Sequence, residues 1–273
     1  MGEQVEDIET QLLLEGVFRA CGYDFREYST ASIKRRIVAR MKSEGLPTIS
    51  SLQDKALHDR SCMDRLLLAL TVNVTAMFRD PTFYLAFRQK VVPLLRTYPF
   101  IRIWHAGCST GEEVYSMAIL LQEEGIYDRC RIYATDVNEA AIATAKEGIF
   151  PLSGMQEYTA NYLKAGGKRA FSDYYTAHYD STLFNPALRE KVAFCQHNLV
   201  TDRAFNEFNV ILCRNVMIYF NKALQTRVQD LFHKSLCMFG VLGLGAKESL
   251  RFAPGEESYE AVDERERIYR RVR

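Results

Sequence analysis

Apolar residues recur at helical spacing across 8–18, through Ile8, Leu12, Leu13, Val17 and Phe18, and this predicts a first helix. The same period predicts helices at 33–42, through 54–57 and at 63–70, with Gly45-Leu46-Pro47 closing the second. Between about 5 and 72 nothing reads as a strand. The pattern changes after Thr71. A helix is expected over 83–95, with Pro81 at its start. Then a β-branched and aromatic run, Ile101-Arg102-Ile103-Trp104-His105-Ala106, leads through a glycine-bearing turn into a helix over 112–122. A second strand, 131–136, precedes a helix over 138–146, and the alternation predicts a parallel sheet with right-handed crossovers. Residues 150–195 interrupt it with Pro151, Gly154, Gly166-Gly167 and seven aromatics between Tyr158 and Phe184 at tight, strand-like spacing. They predict an inserted lobe containing at least a hairpin. The rhythm resumes with a strand at 208–213, a helix at 222–235 and strands at 238–244 and 267–270, the last expected to run antiparallel.

Composition narrows the class without naming a chemistry. The 273 residues are 48% hydrophobic and 25% charged, which fits a globular chain and excludes disorder or a collagen-like repeat. No apolar run is long enough to span a bilayer, and the acidic N-terminus lacks the apolar core of a secretory signal. The 35 basic and 34 acidic residues give a net charge of +1, which argues against bulk nucleic-acid binding but is silent about local patches. The seven cysteines contain no Cys-x-x-Cys, so neither a zinc ribbon nor a redox dithiol is expected, and no metal site is proposed. Free thiols in a reducing cytoplasm are the expectation.

Candidate chemistry collects at a few places. Gly107 and Gly111 bracket the turn after the first strand, where backbone N–H groups could meet a ligand at a helix start. Asp136 ends the next strand, 25 residues beyond Gly111, where a carboxylate can hold ribose hydroxyls. A turn and helix cap with no ligand is the lesser alternative from this spacing. Glu112-Glu113 would repel a pyrophosphate and welcome a sulfonium or ammonium group, although acids also favour helix N-termini for their own sake. Arg214, Asn215 and Tyr219 lie on a polar break after the 208–213 strand, where open α/β sheets collect functional residues. An ion pair for Arg214 and a core position for Tyr219 are the alternatives. The polar segment 71–81 reads as a hinge or as a strap over a ligand. At 33–42, Ile33, Ile37, Val38 and Met41 share one arc and Arg35, Arg36, Arg40 and Lys42 the other. That basic face is a solvated surface or a docking site for an acidic partner.

Five ordered motifs carry a resemblance. They are Asn73-Val74-Thr75-Ala76-Met77-Phe78-Arg79-Asp80, Gly107-Cys108-Ser109-Thr110-Gly111-Glu112-Glu113-Val114-Tyr115-Ser116, Ala134-Thr135-Asp136-Val137-Asn138, His197-Asn198-Leu199 and Cys213-Arg214-Asn215-Val216-Met217-Ile218-Tyr219-Phe220. Together they strongly resemble the CheR family, S-adenosylmethionine-dependent methyltransferases that modify bacterial chemoreceptors. The departures are small: Val74 and Met77 vary apolar positions, and Val114 stands where the family usually has proline.

The resemblance implies a class I methyltransferase fold, α/β and Rossmann-like, with a seven-stranded, mostly parallel sheet. It implies a helical N-terminal domain at 1–72, a catalytic domain at 73–273, a linker at 73–82 contributing to the site and an inserted β-subdomain at about 150–195. It places Asn73, Thr75, Arg79, Gly107, Glu113, Asp136, Asn198, Leu199, Arg214 and Asn215 around S-adenosylmethionine, with Arg79 and Tyr219 near the reactive methyl. The implied reaction esterifies glutamate side chains of receptor helices, which Arg35, Arg36, Arg40 and Lys42 would meet. A carboxylate nucleophile is ionised at neutral pH, so no general base is required. Some family members dock a receptor's C-terminal peptide on the β-subdomain by strand addition; the 164–175 stretch here does not match that form, and action without a tether is expected. The rival readings are an NAD oxidoreductase on the same sheet, a nucleic-acid methyltransferase, which would want an Asn/Asp-Pro-Pro-aromatic loop in place of Arg214-Asn215-Val216-Met217, a methyltransferase of another signalling pathway, and a cofactor-binding adaptor without turnover.

Overall fold

The computed structural model describes residues 2–71, 74–250 and 255–273. The chain divides into two compact units, one formed by Met1–Val72 with Tyr219–Val228, the other by Asn73–Ile218 with Gln229–Arg273.

The first unit is built from four helices: α1 (Gly2–Cys21), α2 (Thr30–Ser43), α3 (Ile49–His58) and α4 (Arg60–Leu70). The structure lengthens the expected third and fourth helices because each has a side-chain cap. Thr48 accepts from the Ser51 N–H and Asp59 from the Ser61 N–H. Leu13, Val17, Phe25, Ile33, Ile37, Leu52 and Leu66 fill the core, each worth about 1.5–3 kcal/mol of burial. Glu44 ties three of these helices together, accepting from Arg40, Lys55 and Arg65. These partners, Arg65 foremost, hold its pKa down at about 2 against an ordinary value of 4.5. A depressed acid stabilises the fold fully above its unfolded pKa and loses that contribution as pH falls through its folded one. Glu44→Gln is therefore expected to melt below wild type at pH 7, with the gap closing between pH 5 and pH 2; a gap that stays constant in circular-dichroism melts over that range contradicts the assignment.

The segment Tyr219–Val228 also belongs to this unit. Ser29 N–H donates to the Tyr219 carbonyl at 2.7 Å, Tyr28 and Phe220 form an antiparallel bridge, and Asn221 N–H donates to the Glu27 carbonyl at 2.9 Å.

In the second unit the helix expected at 83–95 is broken. It consists of α5 (Pro81–Ala86), a π-turn at Phe87–Val91 and α6 (Val92–Leu95). Pro93 has no N–H for the carbonyl one turn back, so the ladder widens there. Next come β1 (Ile101–Ala106), α7 (Glu112–Glu123), β2 (Cys130–Asp136) and α8 (Glu139–Glu147). After these follow β3 (Ile149–Pro151), α9 (Met155–Lys164), β4 (Tyr175–His178), β5 (Ser181–Phe184), β6 (Val192–Gln196) and β7 (Phe208–Cys213). The chain ends through α10 (Lys222–Ser235), β8 (Leu236–Leu244), β9 (Tyr259–Asp263) and β10 (Ile268–Arg271).

The main sheet has seven strands in the order β6-β2-β1-β7-β8-β10-β9. Neighbours from β6 to β8 run parallel, and β10 pairs antiparallel with β8 and β9. The switch between β2, β1 and β7 puts the carboxyl ends of these strands on one edge, where α/β sheets bind ligands. Among the described residues no helix is long and apolar enough to cross a membrane.

The insert has the expected hairpin and differs in its helix and in where it ends. β3, β5 and β4 do form a small antiparallel sheet with a β4–β5 hairpin. But Tyr158 and Tyr162 lie four residues apart on α9, a helical spacing, and β6 belongs to the large sheet, so the insertion ends before Val192. Nor is it a separate lobe. Tyr158, Tyr162, Phe171, Tyr174 and Phe184 are buried in the same core as β1, β2 and α7. Glu123 at the end of α7 accepts from the Tyr162 and Tyr174 hydroxyls, the Lys168 N–H and Arg88.

Candidate active site at the carboxyl edge of the sheet

The turn after β1 is closed by its neighbours. Gly107 N–H and Cys108 N–H both donate to the Thr135 carbonyl at 2.8 and 2.9 Å, and Gly111 N–H donates to the Cys108 carbonyl. Ser109 N–H donates to the Asp136 carboxylate at 2.8 Å. These four donors are paired within the chain. A phosphate-cradling turn needs such N–H groups free. Gly107 has a structural reason of its own: at φ +83° a Cβ would sit 2.5 Å from Val216 Cγ2, so only glycine lets β1 turn under the loop after β7.

Asp136 is tied at both oxygens, to the Ser109 N–H and to the Asn138 N–H at 2.9 Å. Burial raises its pKa and the backbone N–H groups pull it back. Asn138 in turn caps α8 by accepting from the Ala140 and Ala141 N–H groups. The carboxylate that the spacing marked as a ribose ligand thus also fixes the turn opposite it.

The two adjacent glutamates have different fates. Glu112 is buried and accepts from the Thr110 hydroxyl at 2.7 Å, with its pKa raised by burial. Glu113 is the centre of a charge network. His105 Nδ1 lies 2.9 Å from one carboxylate oxygen and Arg214 donates to the other at 3.2 Å. Burial by itself would push Glu113 up, but His105 and Arg214 outweigh it and hold the carboxyl below its ordinary value. Arg214 also donates to Asp80 at 2.9 Å and to the Arg79 carbonyl at 3.1 Å, and its guanidinium lies 4.0 Å from the Phe83 ring centroid.

The loop after β7 is held by a residue the sequence did not single out. Glu248 accepts from the N–H groups of Asn215, Val216, Ile218 and Gly245 at 2.7–3.3 Å. Burial raises its pKa against those donors. It holds Asn215 in the left-handed region at φ +62°. His105 and Asp80 were likewise missed. Nothing in their spacing marks them, although a histidine in an apolar strand two residues before Gly107 is a signal of a kind.

The remaining expected site residues distribute as follows. Asn73 lies outside the described residues. Thr75 and Arg79 are half-buried in the segment before α5, and Arg79 donates to the Val74 carbonyl at 3.0 Å. Asn198 and Leu199 follow β6, the Asn198 side chain accepting from the Val200 N–H at 2.9 Å. So Gly107, Glu113, Asp136, Asn198, Leu199, Arg214 and Asn215 all stand on or just after the carboxyl ends of β1, β2, β6 and β7. Tyr219, Arg35, Arg36, Arg40 and Lys42 belong to the other unit.

The donor set fits a cationic nucleoside ligand. Two carboxylates, one kept ionised, flank a turn with four of its N–H groups already paired. This disfavours a dinucleotide.

Comparison with known proteins agrees. Residues 73–266 match the family described as CheR methyltransferase, SAM binding domain, and residues 8–71 match CheR methyltransferase, all-alpha domain. A Pseudomonas putida protein named as a methyltransferase, Cher3, is 50% identical over 98% of this chain and 98% of its own length. Chemotaxis protein methyltransferase 2 of Pseudomonas aeruginosa is 32% identical over 88% of this chain and 85% of its own. Among solved structures, the N-methyltransferase NodS of Bradyrhizobium japonicum, in complex with S-adenosyl-L-homocysteine, covers 71% of this chain at 14% identity and a TM-score of 0.35, and the match spans 70% of NodS.

Proposed function

Since the chain belongs to the CheR methyltransferase family and carries both of its domains, we propose that it transfers a methyl group from S-adenosylmethionine to glutamate side chains of chemoreceptors. The observation that carries the reading is the ionised Glu113 at the start of α7, beside a turn with four of its N–H groups already used. A carboxylate there suits the ammonium of the cofactor, and Asp136 suits its ribose.

When bound, S-adenosylmethionine supplies an electrophilic methyl on a sulfonium. The acceptor carboxylate is ionised at neutral pH, so the chain's task is to align and partly desolvate it. Arg79 orients that carboxylate, using donors left over from its bond to the Val74 carbonyl. Tyr219 donates a hydrogen bond or packs beside the sulfonium. Thr75, Asn198, Leu199, Asn215 and Asn73 complete the cofactor contacts. Arg35 and Lys42, both exposed on α2, meet the acidic receptor helix; Arg40 and Arg36 stand on the same face with partners inside their own unit. The relatives named for chemotaxis support the receptor as acceptor over a protein of another pathway. Action without a receptor-tail tether and location in the cytoplasm complete the proposal.

The test is transfer of radiolabelled methyl from S-adenosylmethionine to purified receptor cytoplasmic fragments. The expected label is released by mild base as methanol, the mark of a carboxyl ester. Base-stable label on the receptor, or no transfer while S-adenosylhomocysteine still raises the melting temperature, would replace this reading with another acceptor or with a non-catalytic adaptor.

A further inference from the structure

The basic face of α2 is not a single surface. Arg35 and Lys42 are exposed, whereas Arg36 and Arg40 are half-buried. Arg40 is spent on Glu44. Arg36 has a different surrounding. One of its terminal nitrogens donates to the Leu70 carbonyl, at the last turn of α4, at 2.9 Å. The other donates to the Ser32 hydroxyl, one turn back on α2, at 3.1 Å. Its guanidinium carbon stands 4.5 Å from the centroid of the Tyr219 ring.

Those contacts define an orientation. A planar guanidinium held at both ends by a carbonyl and a hydroxyl cannot rotate freely, so it presents a fixed plane to the ring beneath it. The Tyr219 main chain is fixed separately, through its carbonyl to the Ser29 N–H and through the bridge between Tyr28 and Phe220 next to it. Backbone stitching sets where the tyrosine starts, and the cation over its face sets where the ring lies. The direction of the hydroxyl follows from both.

We infer that Arg36 is a positioning residue for Tyr219: it acts on the transfer step through the tyrosine ring and not by meeting the receptor. The inference rests on the reading that Tyr219 works beside the reacting methyl. It splits four of the five basic residues of α2 by task. Arg35 and Lys42 remain for the acidic partner, Arg40 secures the helical unit, and Arg36 orients a residue of the reaction.

Two measurements on the full chain test it. The first is steady-state methylation of a receptor fragment by Arg36→Ala, Arg36→Lys, Tyr219→Ala and the double variant Arg36→Ala/Tyr219→Ala. Arg36→Ala is expected to lower kcat about tenfold while KM for the receptor and its salt dependence stay within about twofold. Arg36→Lys keeps the charge but loses the plane, and is expected to fall most of the way to the alanine variant. Once Tyr219 is alanine, removing Arg36 should cost nothing further. A rise in receptor KM at unchanged kcat, or losses that add in the double variant, overturns the inference. The second measurement uses 3-fluorotyrosine at position 219. Its ¹⁹F resonance is expected to move and broaden in Arg36→Ala and in Arg36→Lys; a resonance identical to wild type overturns the inference regardless of kinetics. Full activity in Tyr219→Ala is a separate failure, because it removes the role proposed for the tyrosine while the ¹⁹F spectrum still decides whether Arg36 orders the ring.

Discussion

Arg214→Met is expected to lower the melting temperature by roughly 10 °C, the equivalent of about 3–5 kcal/mol for breaking a buried ion pair in a unit of this size. The Arg214 side chain is only 2% exposed and serves two carboxylates, Glu113 and Asp80. Asp80 is 41% exposed and returns to water when its partner is lost. Glu113, at 17% exposed, can do so only in small part, and keeps His105. The loss should therefore come mostly from one uncompensated buried charge, and neutralising that charge should recover part of it. The double variant Arg214→Met/Glu113→Gln is expected to melt above Arg214→Met, because the amide oxygen and nitrogen can still pair with His105 without carrying charge. Melting curves in which the two losses add would show that packing over Phe83, and not charge pairing, is what Arg214 contributes. The same network sets an expected pH dependence for the site. Glu113 is held below its ordinary pKa, so its stabilising contribution is present above that value and fades as pH falls through the lower, folded one.

The second large effect lies at Glu248. Glu248→Ala strands the N–H groups of Asn215, Val216, Ile218 and Gly245. Each stranded buried donor costs about 1–3 kcal/mol, and water entering the vacated space relieves some of them, so a total of about 3–5 kcal/mol is expected. Glu248→Gln keeps one acceptor oxygen and turns an N–H group toward backbone donors, which should place it between wild type and alanine. Because Glu248 holds the backbone beside Asn215 and not a ligand, both variants should show faster amide exchange at 215–218 even without cofactor. Protection of those amides equal to wild type in Glu248→Ala would show that the loop is held by its packing alone.

These two carboxylates illustrate what can be read from one dimension. The strands Ile101–Ala106 and Phe208–Cys213 and the helix Lys222–Ser235 lie where their apolar runs and periods put them, because hydrophobic patterning is a local property of the chain. The glutamate at 113 was visible as an acid at a helix start. Its partners were not: His105 is eight residues away and Arg214 is 101. Glu248, 33 residues from Asn215, carries no spacing signal at all. The glycine turn was legible as a turn, but only the register of β1 beside β2 shows the Thr135 carbonyl and Asp136 taking its N–H groups. The insert misled for another reason. Tyrosines at tight spacing suit a strand or a helix, and the choice fell to a core shared with α7.

Taken alone, the amino-acid order determined a helical segment followed by an interrupted α/β segment, the sites of its turns and the family its motifs resemble. Each of these depends on neighbours within a few residues or on motifs written contiguously. Tertiary structure decided which charges are free to act. Arg35 and Arg36 are adjacent in sequence, yet one is exposed while the other lies over Tyr219, because the end of α4 at Leu70 comes within hydrogen-bond distance of only one of them. An ion pair, a stacked ring or a backbone acceptor is set by distances of a few ångströms between segments tens or hundreds of residues apart, and no local period encodes that.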